Sequence, residues 1–335
     1  MDPLTQIALT RRLIDIDSTT GREAAAGQVI AETLRELGYR VTRQPVAGDR
    51  FNVMAVADAP VVVFSTHFDC VPPFSPSREE AGVLHGRGSC DAKGTIGAMI
   101  AAAERLRARG ERRVGLLFVV GEERGSEGAQ VANGCAPGST FLIDGEPTDN
   151  RLGSATRGIY RVKLTAAGRA AHSSLPELGE SAIEKLIDAL TSLRRIEWPD
   201  DPVMGRTHYT VGLINGGIAP NVVPPQAEAE IMFRTVGDYT VVRRLMEHHV
   251  GAAVSLDDVL VVPPVRLKTV DGFDTAAFAF TTDIPWLDRW GTPLLLGPGS
   301  VTVAHTADEH VPVAELHRAT ELYERLARSL MSQSG

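Results

Sequence analysis

Apolar positions recur along the chain with two different periods. Over residues 1 to 38 they return at helical spacing, and Ser18-Thr19-Thr20-Gly21 breaks the run. The spacing predicts two helices, the second from Glu23 to Leu37, with Gly38 just past its end. Short apolar runs follow. "RVTRQPV", "FNVMAVA" and "PVVVFSTHFD" predict strands, "TIGAMIAAAERLRARG" a helix closed by Gly110, and "RRVGLLFVVGEE" and "STFLIDGEP" two more strands. Strands that alternate with helices predict an α/β fold: a mainly parallel sheet with helices on both faces.

The pattern changes near residue 155. "GIYRVKLTAAG" alternates apolar and polar residues, as a half-exposed strand does. A helix is predicted over "GESAIEKLIDALTSLRR", strands over "HYTVGLING" and "QAEAEIMFRT", a helix over "DYTVVRRLMEHHVG" and a strand over "DVLVVPPVRLKTV". That order is a split βαβ unit, an α+β ferredoxin-like domain. From about residue 269 the first pattern returns, with a buried strand in "TPLLLGPG" and a closing helix in "VAELHRATELYERLARSL". The predicted plan is a discontinuous domain, 1–154 with 269–335, carrying an insert at 155–268.

Composition narrows the classes. The 335 residues are 43% hydrophobic and 23% charged, with a net charge of −8. No Lys/Arg-rich run is present, which argues against a nucleic-acid partner. No apolar stretch approaches the roughly 18 residues of a membrane span. The first 20 residues read as an amphipathic helix, which a signal peptide is not. Three cysteines, widely spaced and odd in number, argue for a reducing compartment. The expectation is a cytoplasmic protein.

The chemistry collects where the predicted strands end. His67 and Asp69 follow "VVVFST", Glu122 and Glu123 follow "VGLLFVVG", and Asp144 and Glu146 follow "STFLI". Asp91 lies in "GRGSCDAKG" before a helix, and His305 follows "LLLGPGSVTVA". Open α/β sheets bind ligands outside the carboxyl ends of their strands. Four or five carboxylates gathered there repel one another, and a cation removes the conflict. Two histidines with three carboxylates suit two divalent ions of the zinc type.

The segments "HFD", "GRGSCDAKG", "GEE", "GEPT", "GRAAHSSLPELGESAI", "GGIAPNVVP" and "GPGSVTVAHTADE", in that order, carry a resemblance. The chain resembles the dinuclear zinc amidohydrolase and peptidase family of acetylornithine deacetylase, succinyl-diaminopimelate desuccinylase, aminoacylase and glutamate carboxypeptidase. The resemblance implies that His67, Asp91 and Glu146 hold one metal and that Asp91, Glu123 and His305 hold the other. It implies that Glu122 is the general base and that Asp69 orients His67. The insert would be a lid and dimerisation domain whose His172 reaches a partner subunit's site and stabilises the oxyanion. Asn221 and Arg234 would bind the substrate carboxylate, Arg234 through its planar fork. Zinc is the expected ion, with cobalt or manganese as alternatives.

Other polar residues have plainer readings. Taken singly, Asp91 reads as a helix N-cap, Asp144 as structural, and Asp283, Asp308 and Glu309 as helix caps. His85, His248, His249 and His310 read most simply as surface residues. The expected function is deacylation of an N-acyl amino acid. A dipeptidase or carboxypeptidase and a non-catalytic amino-acid or peptide binder are the alternatives. The expected partners are a small-molecule substrate and a second copy of the chain.

Overall fold

The strand Val62–His67 is buried along its whole length. In the computed structural model, which describes residues 3–333, it lies inside a six-stranded sheet. The order across that sheet is Arg40–Ala47, Arg50–Val56, Val114–Val119, Val62–His67, Phe141–Asp144, Thr292–Leu295. The last four run parallel, and the first two join antiparallel at one edge. Parallel strands are buried on both faces, which is why these segments read as near-continuous apolar runs.

Successive side chains of a strand point to opposite faces. Phe64, Leu116 and Ile143 enter one large cluster, closed by the helices Ala24–Glu36, Lys93–Ala108 and Val313–Ser332. Val63, Leu117 and Leu142 enter a smaller cluster on the other face, with Ala129, Ala132, Leu287 and Trp290. Helix Lys93–Ala108 also packs on helix Pro3–Ile14. At the crossing a Cβ on Gly97 would lie 2.2 Å from Thr10 Oγ1, so only glycine allows that approach. Residues 1 and 2, the start of the predicted first helix, lie outside the described residues.

The chain divides into two compact units. One comprises Met1–Ser154, Leu267–Ala276 and Thr282–Gly335, and the other Ala155–Arg266 and Ala277–Thr281. The second unit contains a four-stranded antiparallel sheet in the order His208–Gly216, Gln226–Thr235, Gly158–Ala167, Val254–Val262. Its buried face carries Tyr160, Val162, Leu164, Ile231 and Phe233 against the helices Ala182–Leu193 and Tyr239–Val250. Ser181 and Asp238 cap these helices, each accepting a backbone N–H with its side chain. The last strand starts at Val254 and ends at Val262, earlier than the sequence pattern predicts. Pro263 and Pro264 follow it, and proline cannot donate to a strand ladder. Among the described residues no helix is long and apolar enough to cross a membrane.

Candidate metal centre

His67 closes its strand and is 1% exposed, and Asp69 is fully buried. The imidazole Nδ1 lies 3.0 Å from the backbone carbonyl of Asp69 and 3.4 Å from its Oδ1. Its other nitrogen, Nε2, lies 3.0 Å from Asp91 Oδ1 and 3.9 Å from Glu146 Oε2. The second oxygen of Asp91 lies 3.1 Å from His305 Nε2. That same nitrogen is 3.0 Å from Glu123 Oε1. One carboxylate therefore stands between two imidazoles, and each imidazole has a further carboxylate beside it.

Each side chain is aimed by its own local structure. Asp91 ends a buried loop in which Gly88 has φ +86° and a Cβ on it would lie 2.8 Å from Cys70 Sγ. Only glycine satisfies both conditions. Glu309 holds this loop from the far end of the chain. Its Oε1 accepts the backbone N–H of Gly88 at 2.8 Å, Cys90 at 3.3 Å and Asp91 at 3.2 Å, while Arg87 pairs with Oε2. Glu122 and Glu123 begin a 3-10 turn, Glu122–Arg124. Their backbone N–H groups donate to Asp69 at 3.1 and 3.2 Å. Thr20 Oγ1 donates to the same carboxylate at 2.8 Å. His305 has φ +63°, a left-handed conformation that non-glycine residues rarely adopt outside constrained sites.

The charges are mutually dependent. Burial raises the pKa of Glu146 and Glu122 well above the carboxylate range, and raises that of Glu123 as well. Burial and the neighbouring Asp283 push Asp144 up to about 8, and burial pushes Asp283 to about 7. The imidazoles move the other way from what burial alone dictates. Burial pulls His67 down, but Asp69 and Asp91 outweigh it and hold the ring well above its ordinary value. Hydrogen bonds to Asp91 and Glu123 raise His305 to about 10. Asp91 is pulled below its ordinary range, because His305 and His67 overcome the cost of its burial.

So many carboxylates in one buried place call for positive charge, which divalent cations can supply. The donor set of two imidazole nitrogens and three carboxylates suits zinc, and also cobalt or manganese. His67, Asp91 and Glu123 present ligand atoms within 4.8 Å of one another. The residues fit the group that their chemistry calls for.

The structure gathers His67, Asp69, Asp91, Glu122, Glu123, Glu146 and His305 in one place. Four plainer readings need correction. Asp91 does not cap the helix Lys93–Ala108, whose first turn begins at Ala92 without a side-chain cap. Glu309 does not cap the final helix, because its carboxylate is taken up by the Asp91 loop. Asp283 makes no capping bond and is buried beside the carboxylate cluster. Asp308 does not cap the final helix either, which starts after Pro312 without a side-chain cap; His85 and His310 reach the surface, as expected, and pack against each other. Thr20, Arg87 and Glu309 were not foreseen as part of this site. The only sequence signal for Thr20 was the break in the first helical run, and that break docks on the strand end through Ser18, Thr20 and Cys70.

The remaining candidates lie in the second unit. His172 is exposed, with its Nδ1 2.7 Å from Ser174 Oγ, and forms an isolated bridge with Val222. Asn221 is exposed, and its carbonyl accepts Ser173 N–H at 3.0 Å. Arg234 is half-buried on the strand Gln226–Thr235, opposite His208 and Ile159. Burial and the nearby Arg157 lower its pKa, and no carboxylate among the described residues forms an ion pair with it.

A profile of peptidase family M20/M25/M40 matches residues 63–329. A peptidase M20 domain-containing protein of Schizosaccharomyces pombe is 35% identical over 96% of this chain and 83% of its own length. A probable carboxypeptidase of Aspergillus terreus is 36% identical over 97% of this chain and 86% of its own. Among solved structures, aminopeptidase PepT from Bacillus cereus superposes with a TM-score of 0.82 at 18% identity, covering 99% of both chains. A dinuclear metal binding peptidase from Bacillus subtilis superposes at 0.73 and 16% identity, covering 98% of both.

Proposed function

The chain belongs to peptidase family M20/M25/M40, and on that premise we propose that it is a metal-dependent hydrolase releasing an amino acid with a free α-carboxylate from a short peptide. The family acts on amide bonds. The observation that carries the reading is Asp91 set between His67 and His305, with Glu146 and Glu123 on either side. His67, Asp91 and Glu146 would hold one ion, and Asp91, Glu123 and His305 a second. Such ions, when bound, polarise a carbonyl and make water a stronger acid.

The chain's own groups supply the rest. Glu122 stands beside the cluster on a turn whose backbone is pinned by Asp69. As a carboxylate it would take a proton from water and deliver it to the departing amine nitrogen. Asp69 holds His67 with Nε2 facing Asp91. Arg234, a half-buried cation with no acidic partner among the described residues, suits a substrate carboxylate, and Asn221 would assist it. His172 would reach the site of a partner subunit and donate to the oxyanion as the bond breaks.

The curated relatives named as probable carboxypeptidases favour the peptidase reading. A second reading, deacylation of an N-acyl amino acid, is favoured by "GEPTD" and "GPGSVTVAHTADE", which resemble segments of acetylornithine deacetylase. Both reactions cleave an amide beside a carboxylate. The test is amine release from dipeptides, tripeptides, their C-terminal amides and N-acetyl amino acids, with zinc, cobalt or manganese added. Cleavage that needs the free carboxylate and stops on chelation supports the proposal. Equal cleavage of the C-terminal amides would refute it, and preference for acetylated amino acids would select the second reading.

The second unit also bears on assembly. Strand His208–Gly216 pairs on one side only, and Leu213 and Ile214 are 57% and 58% exposed on it. An unprotected apolar edge is a template for another strand. The same strand of a second copy is its natural occupant, giving a symmetric dimer.

A further inference from the structure

A second constellation of ligating side chains lies in the first unit, built from residues that hold no role in the centre described above. His85 ends the short strand Val83–His85, and His310 begins the strand His310–Pro312. The two strands pair antiparallel with His310 directly opposite His85. Directly opposed residues bring their Cβ atoms to about 5 Å, and the two rings sit 5.3 Å apart between centroids. Asp308 completes the group. Its Oδ1 is 3.5 Å from His85 Nδ1, and its Oδ2 is 3.8 Å from His310 Nδ1. The three residues offer ligand atoms that all lie within 4.8 Å of one another.

The hydrogen bonding leaves one nitrogen of each ring uncommitted. His310 Nδ1 donates to the backbone carbonyl of Asp308 at 2.7 Å, which leaves the lone pair on Nε2. Such a bond from the second ring nitrogen is how metal-ligating histidines are commonly oriented. His85 Nδ1 is shielded from water and has no hydrogen-bond partner, an unsatisfied nitrogen beside a carboxylate. Asp308 is 78% exposed, so the third ligand is free to close on an ion. Ligands on a tetrahedral zinc stand about 3.3 Å apart, within side-chain adjustment of the spacing found here. The neighbouring cation Arg78 is neutralised by Glu80.

We propose that His85, Asp308 and His310 form a separate site for one divalent transition-metal ion of the zinc class, with water completing its shell. The site is placed to matter. Glu309, between two of its ligands, holds the backbone of Gly88, Cys90 and Asp91. Gly86, next to His85, donates its N–H to the Glu309 carbonyl at 3.1 Å. An ion here braces the segment that holds the Asp91 loop.

The experiment counts zinc per chain by mass spectrometry after dialysis against a fixed micromolar concentration of free zinc. It compares the wild type with H85N/H310N and, separately, with D308N. The wild type is expected to keep one more equivalent than either variant, because D308N releases that equivalent at least tenfold more readily. At a free zinc concentration that saturates the His67–Asp91–His305 centre in every variant, its ions cancel in the difference, so the result is independent of the proposed reaction. Equal zinc in the wild type and D308N, whose exposed side chain is not needed for folding, would overturn the proposal even if the double variant unfolds.

Discussion

Asp69 Oδ1 accepts the backbone N–H of Glu122 at 3.1 Å while lying 3.4 Å from His67 Nδ1. One buried carboxylate thus fixes a candidate metal ligand and the residue proposed to move the proton. Substituting Asp69→Asn should weaken metal binding about 10- to 100-fold, the usual cost of losing such a support. It should also lower kcat in fully loaded protein, because the Glu122 turn loses its acceptor. Unchanged metal affinity in a competition titration would show that Asp69 serves the turn alone.

Glu122→Gln removes the proposed proton carrier and keeps its shape. Turnover should fall by about 100-fold or more, while metal content and melting temperature stay close to those of the wild type. Activity within tenfold of the wild type would remove Glu122 from the mechanism.

The metal-free protein should lose stability as pH rises from 5 to 8. Asp144 is raised from 3.8 to about 8 and Asp283 from 3.8 to about 7. The stability tied to a raised pKa is present in full below the ordinary value and lost as pH climbs through the folded one. His305, raised to about 10, acts in the same direction. Asp69 and Asp91 are lowered, and their opposite contribution belongs to more acid conditions. Melting curves in chelator should therefore shift down across this range, and the gain from added zinc should grow. A flat or rising midpoint in chelator would contradict the charge arrangement.

Arg87 and Glu309 form an ion pair with side chains 5% and 2% exposed. Breaking a buried pair leaves an uncompensated charge, at a cost of about 3–5 kcal/mol. Arg87→Met should lower the denaturation midpoint accordingly and, through the Asp91 loop, weaken metal binding. A loss below about 1 kcal/mol in urea titration would mean that water reaches Glu309.

Light scattering should report a dimer for the wild type and a monomer for Ile214→Glu, which places a charge on the apolar edge of the strand His208–Gly216. A variant dimer as tight as the wild type would exclude that edge as the contact.

Much of this was legible along the chain, for identifiable reasons. Buried parallel strands are long apolar runs, so a histidine or glutamate at their ends stands out, as His67, Glu123 and Glu146 do. The second unit's alternation in Gly158–Ala167 and Gln226–Thr235 reads directly as strands with one buried face. The supports were hidden. Thr20 reaches Asp69 across 49 residues, and Glu309 reaches the Asp91 amide across 218. Neither contact leaves a local period or spacing. Asp283 and Glu309 resembled caps because both precede helical segments, and only burial assigns their carboxylates elsewhere.

The carboxylate cluster draws on segments from His67 to His305, and the four-stranded second unit is encoded between Glu146 and His305. A ribosome therefore finishes five carboxylates and one imidazole of the cluster long before it delivers the second imidazole. Until His305 arrives, the nascent chain carries an acidic cluster short of half its balancing imidazoles. The last parallel strand, Thr292–Leu295, also arrives late. The sheet edge and the charge balance are thus completed in the same stretch of synthesis, which makes completion of the first unit a post-insert event.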